Sequence, residues 1–292
     1  MLARLLNVPA LLRHLRSHRA DKSVWDPADD LELTLYGEMF GNNFLHYGYF
    51  SDPARDAKTI SFNDLLKAMD DYASLLVQRV QPGERVLDVG CGMGGLLAKL
   101  DAAGAKATGV TPNLAHGAHI RRSWPHIPLM QSTFEALSQA QAPAGSFDAV
   151  INSESFQYID LDAGMRKVRE LLAPGGRWIN IDYFRLVPSA RNTSGHMLAD
   201  FEQAIVRHGF KVLERLDVTE NVLPALAFAH LLAARIALPM ARFGTQKFFL
   251  KRPFWGYLFA DKARAKIDGI KLHTIDPDAF RRDKRYILFV LE

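Results

Sequence analysis

The segment VLDVGCGMGG, residues 86–95, constrains the fold more than any other part of the chain. A short apolar run is followed by a turn with three alternating glycines and then by a helical pattern that begins at Gly95. Glycine permits a sharp turn and lets the backbone come close to a ligand, and the free N–H groups of a helix N-terminus favour binding there. The segment therefore predicts a ligand-binding loop between a strand and a helix. Asp88, at the end of the strand, favours a ligand that carries an ammonium group over a pyrophosphate.

Short apolar runs alternate with helical patterns from residue 60 onward. Continuous apolar strands separated by helices indicate a parallel sheet that is covered on both faces. We therefore predict an α/β fold with a doubly wound, mostly parallel sheet. The expected strands are RVLDVG, AKATGV, IPLMQ, FDAVIN and GRWINID, and two late strands are FKVLERLDVTE and RYILFVLE.

The cysteine content and the hydropathy of the chain favour a cytoplasmic protein. Cys91 is the only cysteine, so no disulfide can form within the chain, which fits a reducing compartment. The first twenty residues carry scattered arginines and do not resemble a signal peptide. The most apolar run, 222–240, contains two prolines, a histidine and an arginine, and we expect these residues to interrupt any membrane span.

The positive charge of the chain is concentrated in two leucine-rich segments. The formal net charge is +4. Residues 1–22 hold five basic residues against one acidic residue, and residues 220–271 hold nine against three. This pattern indicates an anionic partner at these two segments. It argues against nucleic acid, because no RNA-binding module is visible and the charge does not lie across the predicted core.

Three motifs resemble those of class I S-adenosylmethionine-dependent methyltransferases. Residues 86–95 resemble motif I, residues 145–159 (GSFDAVINSESFQYI) are similar to the fourth-strand motif, and residues 171–184 (LLAPGGRWINIDYF) to the fifth-strand motif. The resemblance implies a methyl-transferring enzyme with S-adenosyl-L-methionine as cofactor. It also implies a seven-stranded Rossmann-like sheet that ends in an antiparallel strand pair.

The second-strand motif is similar to that of a subgroup of the family. Many members place an acidic residue after this strand, whereas Thr111 and Asn113 stand here. This is similar to the subgroup that contains cyclopropane fatty acid synthases and several small-molecule methyltransferases. We expect no metal site. The cofactor-binding residues predicted from the motifs are Tyr47, Asp88, Gly90, Cys91, Gly92, Gly94, Thr111, Asn113, Ser132, Thr133, Phe134 and Asn152.

The aromatic stretch FLHYGYF, residues 44–50, precedes the predicted sheet. It resembles the N-terminal element that folds over the cofactor in this subgroup. Aromatic faces attract cationic groups, and a closed apolar lid excludes water. We therefore expect Tyr47 or Tyr49 to contact cofactor or substrate, while packing in the core is the simpler alternative. His46 is a general base, a substrate-orienting residue or an ordinary polar residue near the lid.

The predicted catalytic residues lie in the lid and at strand ends. A general base is needed only when the acceptor loses a proton, so methylation of oxygen, nitrogen or carbon stays open. For Glu154 the alternative is the capping of a helix, and for Asp182 it is a structural role at a strand end. The catalytic set is Glu154, His46, Tyr49 and Asp182, and the substrate set is Phe156, Gln157, Tyr158 and Tyr183.

The predicted organisation has four parts. Residues 1–59 form an N-terminal helical lid, 60–220 the Rossmann-like core, 221–280 a helical substrate cap inserted before the last strand, and 281–292 that strand. The apolar and basic cap suits an anionic amphiphile or the membrane surface. An ordinary cap with solvated lysines or a homodimer interface is the alternative.

The expected activity is methylation of a small hydrophobic or amphipathic acceptor, either lipid-like, prenyl-like or a natural product. The enzyme is expected in the cytoplasm, with peripheral contact to the membrane as an option. The alternative is a soluble methyltransferase of a polar secondary metabolite. A nucleic-acid methyltransferase and a non-catalytic cofactor-binding protein are weaker alternatives.

Overall fold

Seven strands form one mixed sheet in the order β3-β2-β1-β4-β5-β7-β6. The first five strands in chain order are parallel, and β7 runs antiparallel between β5 and β6. This arrangement confirms the predicted doubly wound, mostly parallel sheet with an antiparallel pair at its end. The strands are β1 (Arg85–Val89), β2 (Lys106–Thr111), β3 (Leu129–Gln131), β4 (Phe147–Ser153), β5 (Leu172–Arg185), β6 (Val212–Asp217) and β7 (Lys284–Leu291).

Nine α-helices are present in the part of the chain that the computed structural model describes, which is residues 33, 37, 41–188, 194–270 and 272–292. Side-chain caps begin several of them, such as Ser61 with Asp64 at α1 and Asn113 at α3. The helices are α1 (Phe62–Val77), α2 (Gly95–Ala102), α3 (Leu114–Ser123), α4 (Leu161–Leu171), α5 (Leu198–Arg207), α6 (Thr219–Leu232), α7 (Leu238–Leu250), α8 (Pro253–Asp268) and α9 (Pro277–Asp283).

The helices cover both faces of the sheet, as the continuous apolar strands predict. Successive residues of a strand point to opposite faces. In β1, Val86 belongs to one buried cluster, whereas Leu87 and Val89 belong to the other. Both faces of β1 are therefore buried from Val86 to Val89, and Asp88 is the one polar residue among these four.

The N-terminal lid is described only in its second part. The basic leucine-rich stretch and the predicted lid helix lie outside the described residues. Residues 41–56 form an extended segment without a helix, followed by a 3-10 turn at Ala57–Thr59. The segment is tied to the core because Tyr49 N–H donates to the Ala68 carbonyl (2.8 Å) and Phe50 N–H donates to the Asn221 carbonyl (2.9 Å).

One continuous helical stretch runs from Thr219 to Leu250, although the sequence led us to expect an interruption. In an α-helix the ring of Pro239 would clash with the carbonyl of Arg235. A turn of π-helix at Ala233–Ala237 directly precedes this position, and its wider spacing relieves that clash. An 18-residue window of this stretch has a mean hydropathy of 1.7, and the stretch meets the length and composition of a membrane span. The first half of α6 is nevertheless part of the protein core, with Val222, Leu223 and Ala225 buried.

Helices α7 and α8 pack against each other as an antiparallel hairpin. None of the residues of either helix is buried. The predicted cap therefore includes both a partly buried helix, α6, and an exposed hairpin. Ten large apolar side chains of this region are exposed, which are Ile236, Met240, Phe243, Phe248, Leu250, Phe254, Trp255, Tyr257, Leu258 and Phe259.

Candidate active site

A cavity of about 230 Å³ lies where the N-terminal segment crosses the carboxyl ends of β1 and β4. This is the edge at which ligands bind in open α/β sheets. No residue of 221–280 lines it. The lining residues are Asn43, Phe44, Leu45, His46, Asp88, Gly90, Cys91, Gly92, Met93, Gly95, Leu96, Ser153, Glu154 and Tyr158.

The glycine loop supplies the floor of this cavity. Gly90 has a φ of 72°, and a Cβ atom there would lie 2.6 Å from the Cβ of Ser155. Only glycine fits this conformation and this space without strain. Gly92 and Cys91 also line the cavity, whereas Gly94 packs behind the loop, where a Cβ atom would lie 2.8 Å from Ile120.

Asp88 is a buried carboxylate in the cavity wall. Its Oδ2 atom has no hydrogen-bond partner within the described structure. Burial raises the pKa of Asp88 to about 7, because the charged form loses hydration. An ammonium group bound in the cavity would restore the ionised form and satisfy Oδ2. The predicted cofactor carries such a group, so Asp88 and the glycine loop fit it.

The carboxyl ends of β2 and β3 lie next to that of β1 in the sheet, beside this cavity. Ser132 N–H donates to the Thr111 carbonyl (3.2 Å), and the Thr111 hydroxyl accepts from Asn113 N–H (3.2 Å). Thr133, just after β3, is exposed, and Phe134 is buried in a core cluster. None of these five predicted cofactor residues lines the cavity.

Asn152, near the end of β4, is linked to the glycine loop through hydrogen bonds. Its side-chain oxygen accepts from Trp178 Nε1 (2.9 Å), and its amide group donates to the Ser155 hydroxyl (2.9 Å). That hydroxyl donates to the Val89 carbonyl (2.6 Å). Both the oxygen and the nitrogen of the Asn152 side chain are thus hydrogen-bonded within the fold, whereas the sequence predicts a contact between Asn152 and the cofactor.

Glu154 occupies the cavity wall directly after β4. It has a φ of 51° and is the single non-glycine residue with positive φ among the described residues. Such strain is concentrated at functional sites. The Oε1 atom accepts a hydrogen bond from Tyr47 N–H (2.9 Å) and another from the Tyr286 hydroxyl. Burial raises the pKa of this carboxyl to about 7, although both hydrogen bonds act in the opposite direction.

Tyr286 and Tyr72 complete the surroundings of Glu154, and the sequence analysis missed both. Tyr286 comes from β7 and Tyr72 from α1, and their hydroxyl groups lie 2.9 Å apart. The Tyr72 hydroxyl also lies 3.3 Å from the hydroxyl of Ser153. The one available signal was a tyrosine within the apolar run YILFVL, because a buried tyrosine hydroxyl needs a partner.

His46 stacks on Tyr72 with ring centroids 3.9 Å apart. Its Nδ1 atom lies 2.8 Å from the Tyr47 carbonyl, which can only accept, so the proton belongs on Nδ1. The Nε2 atom has no partner in the described structure, and the residue lines the cavity. Burial lowers the pKa of His46 to about 4, so the ring is neutral at pH 7.

The two predicted lid tyrosines lie outside the cavity lining. The Tyr47 ring packs edge-on against Tyr286 (6.0 Å) and Phe280 (6.4 Å). Tyr49 packs against the first core cluster. Within the aromatic stretch, Phe44 and His46 therefore line the cavity, whereas the rings of Tyr47 and Tyr49 pack against the core.

The remaining predicted residues form a polar layer around the cavity. Asp182 accepts from the N–H groups of Gln157 (3.0 Å) and Tyr183 (2.9 Å), and burial raises its pKa. The hydroxyl of Ser194 contacts both the Tyr183 hydroxyl (2.6 Å) and Gln157 Oε1 (3.0 Å). Tyr158 is 77% exposed and lines the cavity, so it stands at the entrance.

Phe156 belongs to the core of the protein. It is buried against Trp178 (4.7 Å between ring centroids) and Phe201 (6.0 Å), whereas its predicted role is contact with substrate. No group of acidic, cysteine and histidine side chains suited to a metal ion occurs among the described residues.

Comparisons with known proteins agree with this geometry. Residues 86–176 match the family model described as a methyltransferase domain. The chain is 26% identical over 230 residues to O-methyltransferase cnsE of Penicillium expansum, covering 72% of this chain and 79% of that protein. It is 28% identical over 255 residues to Methyltransferase GfsG of Streptomyces halstedii, covering 77% and 85%.

A solved structure shares the fold. Geranyl diphosphate C-methyltransferase from Streptomyces coelicolor A3(2), in complex with Mg²⁺, geranyl-S-thiolodiphosphate and S-adenosyl-L-homocysteine, superposes with a TM-score of 0.62 at 18% identity, covering 87% of this chain and 90% of that chain. The matched domain, the relatives and the glycine loop with its buried aspartate lead to one conclusion. The chain is an S-adenosylmethionine-dependent methyltransferase that acts on a small molecule, with a methyltransferase domain at residues 86–176.

Proposed function

We propose that this enzyme methylates a hydroxyl group on a small hydrophobic or amphipathic molecule, with Glu154 as the general base. The observation that carries the proposal is a buried carboxylate in the cavity wall whose pKa is raised to about 7. A base is most effective when its pKa lies near the working pH. A hydroxyl acceptor needs such a base, because it must lose a proton before or during methyl transfer.

Glu154 is positioned for this role by its two hydrogen bonds. Both end on Oε1, which leaves Oε2 available to an acceptor hydroxyl. Tyr47 N–H and the Tyr286 hydroxyl fix the plane of the carboxylate, so that the basic oxygen does not have to reorient during the reaction. The bound S-adenosylmethionine supplies the methyl group as a substituent of a positively charged sulfur.

The cavity wall favours an apolar acceptor. Phe44, Leu45, Met93 and Leu96 line it, and Tyr158 stands at its entrance. These side chains exclude water, which would otherwise compete for the basic oxygen and weaken the electrostatic interactions in the site. The similarity to cnsE, which is named as an O-methyltransferase, supports oxygen as the acceptor atom.

The substitution Glu154→Gln tests the base. The amide keeps the shape of the side chain and an oxygen that accepts from Tyr47 and Tyr286, but it cannot take a proton. We expect turnover of hydroxyl acceptors to fall by about 10²- to 10⁴-fold, while the affinity for S-adenosyl-L-homocysteine, measured by calorimetry, stays within a few-fold. Turnover equal to that of the wild type would refute the role of Glu154.

The class of acceptor is tested with methyl-labelled cofactor and a panel of hydroxylated compounds. Long-chain alcohols, hydroxy fatty acids and prenylated phenols form the apolar group, and sugars and hydroxylated amino acids form the polar control group. We expect labelled product in the organic phase from the apolar group. Label confined to the aqueous phase would favour the polar metabolite instead.

A further inference from the structure

We propose that the tip of the α7–α8 hairpin, residues 243–259, binds the surface of a bilayer that contains anionic lipids. The proposal concerns where the enzyme is held and is independent of the acceptor that it methylates. It would make the protein peripheral at the membrane, with the cytoplasm as the expected compartment.

The hairpin tip exposes large apolar side chains to an unusual degree. Phe243 is 65% exposed, Leu250 75%, Phe254 68% and Tyr257 92%. The two helices pack on each other, and neither contributes a buried residue. Several large exposed apolar side chains within one short segment indicate a binding site on the protein surface.

The positive charge of the hairpin tip favours an anionic partner. The tip has three basic residues, Lys247, Lys251 and Arg252, and no acidic residue. The Arg252 guanidinium lies 5.0 Å from the ring centroid of Phe248, so basic and aromatic groups share one surface. Aromatic side chains enter the interfacial region of a bilayer while basic groups remain among anionic headgroups.

The charge of the rest of the chain fixes the orientation. With a total of +4, a surplus of four in residues 1–22 and a surplus of six in residues 220–271, the remaining residues sum to −6. An anionic surface therefore attracts the hairpin and repels the body of the enzyme. The tip approaches the membrane first, and the sheet stays on the water side.

The length of the helices favours a surface contact over a span. At 1.5 Å per residue, α8 extends about 24 Å, which is less than the roughly 30 Å of a hydrocarbon core, and its second half carries the charged residues Asp261, Lys262 and Arg264. The longer helical stretch from Thr219 includes the buried half of α6. That half cannot enter lipid while the fold is intact.

Co-sedimentation with vesicles tests the proposal. The full chain is mixed at low salt with phosphatidylcholine vesicles or with vesicles containing phosphatidylglycerol. We expect binding to the anionic vesicles, weakening as salt increases, and a blue shift of fluorescence that is absent in Trp255→Phe. Each basic residue near an anionic surface contributes about a fivefold factor in binding. The triple variant K247Q/K251Q/R252Q should therefore bind about 100-fold more weakly.

The matched control removes three positive charges elsewhere. The variant K58Q/K106Q/K211Q changes exposed lysines outside the hairpin and should bind within a few-fold of the wild type. The double variant L250S/F254S, at exposed positions, tests the apolar part and should weaken binding at unchanged net charge. Equal loss in both triple variants would show that only net charge matters and would overturn the proposal. Absence of vesicle binding, together with a dimer in solution that the double variant abolishes, would assign the surface to a second copy of the chain.

Discussion

Replacing Tyr286 with phenylalanine is the sharpest test of how Glu154 is tuned. The Tyr286 hydroxyl donates to the carboxylate of Glu154 and thereby lowers its pKa. A hydrogen bond to a charged acceptor stabilises it by about 1.5–3 kcal/mol. Since one pKa unit corresponds to about 1.4 kcal/mol, loss of this bond should raise the pKa of Glu154 by about 1–2 units.

The consequence appears in the pH profile of kcat/KM. In the wild type, the acid side should have its midpoint near the pKa of Glu154, about 7. In Tyr286→Phe this midpoint should move to about 8–9, so that activity at pH 7 falls by about 5- to 50-fold and recovers toward pH 9. The assay is initial-rate methyl transfer between pH 5.5 and 9.5, with folding checked by circular dichroism at each pH.

Tyr72→Phe provides the matched control. It removes a buried hydroxyl from the same cluster but leaves the hydrogen bond between Tyr286 and Glu154 in place. Its midpoint should stay within about half a unit of the wild type. An unshifted midpoint in Tyr286→Phe, or equal shifts in both variants, would refute the view that this one bond holds the base near neutrality.

Two further predictions concern the glycine loop and Asp88. Gly90→Ala should lower the free energy of unfolding by more than Gly83→Ala. Both glycines have positive φ, but only at Gly90 would a Cβ atom lie 2.6 Å from the Cβ of Ser155. Equal losses of stability in urea unfolding would contradict this steric clash. Burial raises the pKa of Asp88 from 3.8 to about 7, so the folded state binds this proton more tightly than the unfolded chain. The cofactor-free protein should therefore lose up to about 4 kcal/mol of stability as the pH rises from about 4 to 7. Asp88→Asn should flatten that dependence in thermal unfolding, and an unchanged slope would show that Asp88 is ionised throughout.

The sequence predicts the part of the site that depends on local pattern. The order of strand, glycines and helix identifies the loop, and a carboxylate within the apolar β1 identifies Asp88. The sequence also indicates Glu154 through its place after β4. Local pattern does not indicate Tyr286, because its contact with Glu154 spans 132 positions and depends on the insertion of β7 between two other strands.

The predicted roles of the lid tyrosines and the cap show a second limit. The stretch FLHYGYF is aromatic throughout, and composition alone does not tell which rings line a cavity and which pack behind it. Phe44 and His46 line the cavity, whereas Tyr49 packs against the core. Hydropathy likewise marks 221–280 as apolar without showing that the first half of α6 enters the core while the hairpin does not.

The position of β7 has a consequence for the synthesis of the protein. This strand follows every other element in the chain, yet it fills the gap between β5 and β6 and brings Tyr286 to Glu154. A ribosome adds about 5–20 residues per second, so the sheet stays open and the base incompletely held until the final strand emerges. Because β7 also contributes buried residues to both core clusters, truncated products that lack it are expected to lose stability as well as the contact between Tyr286 and Glu154.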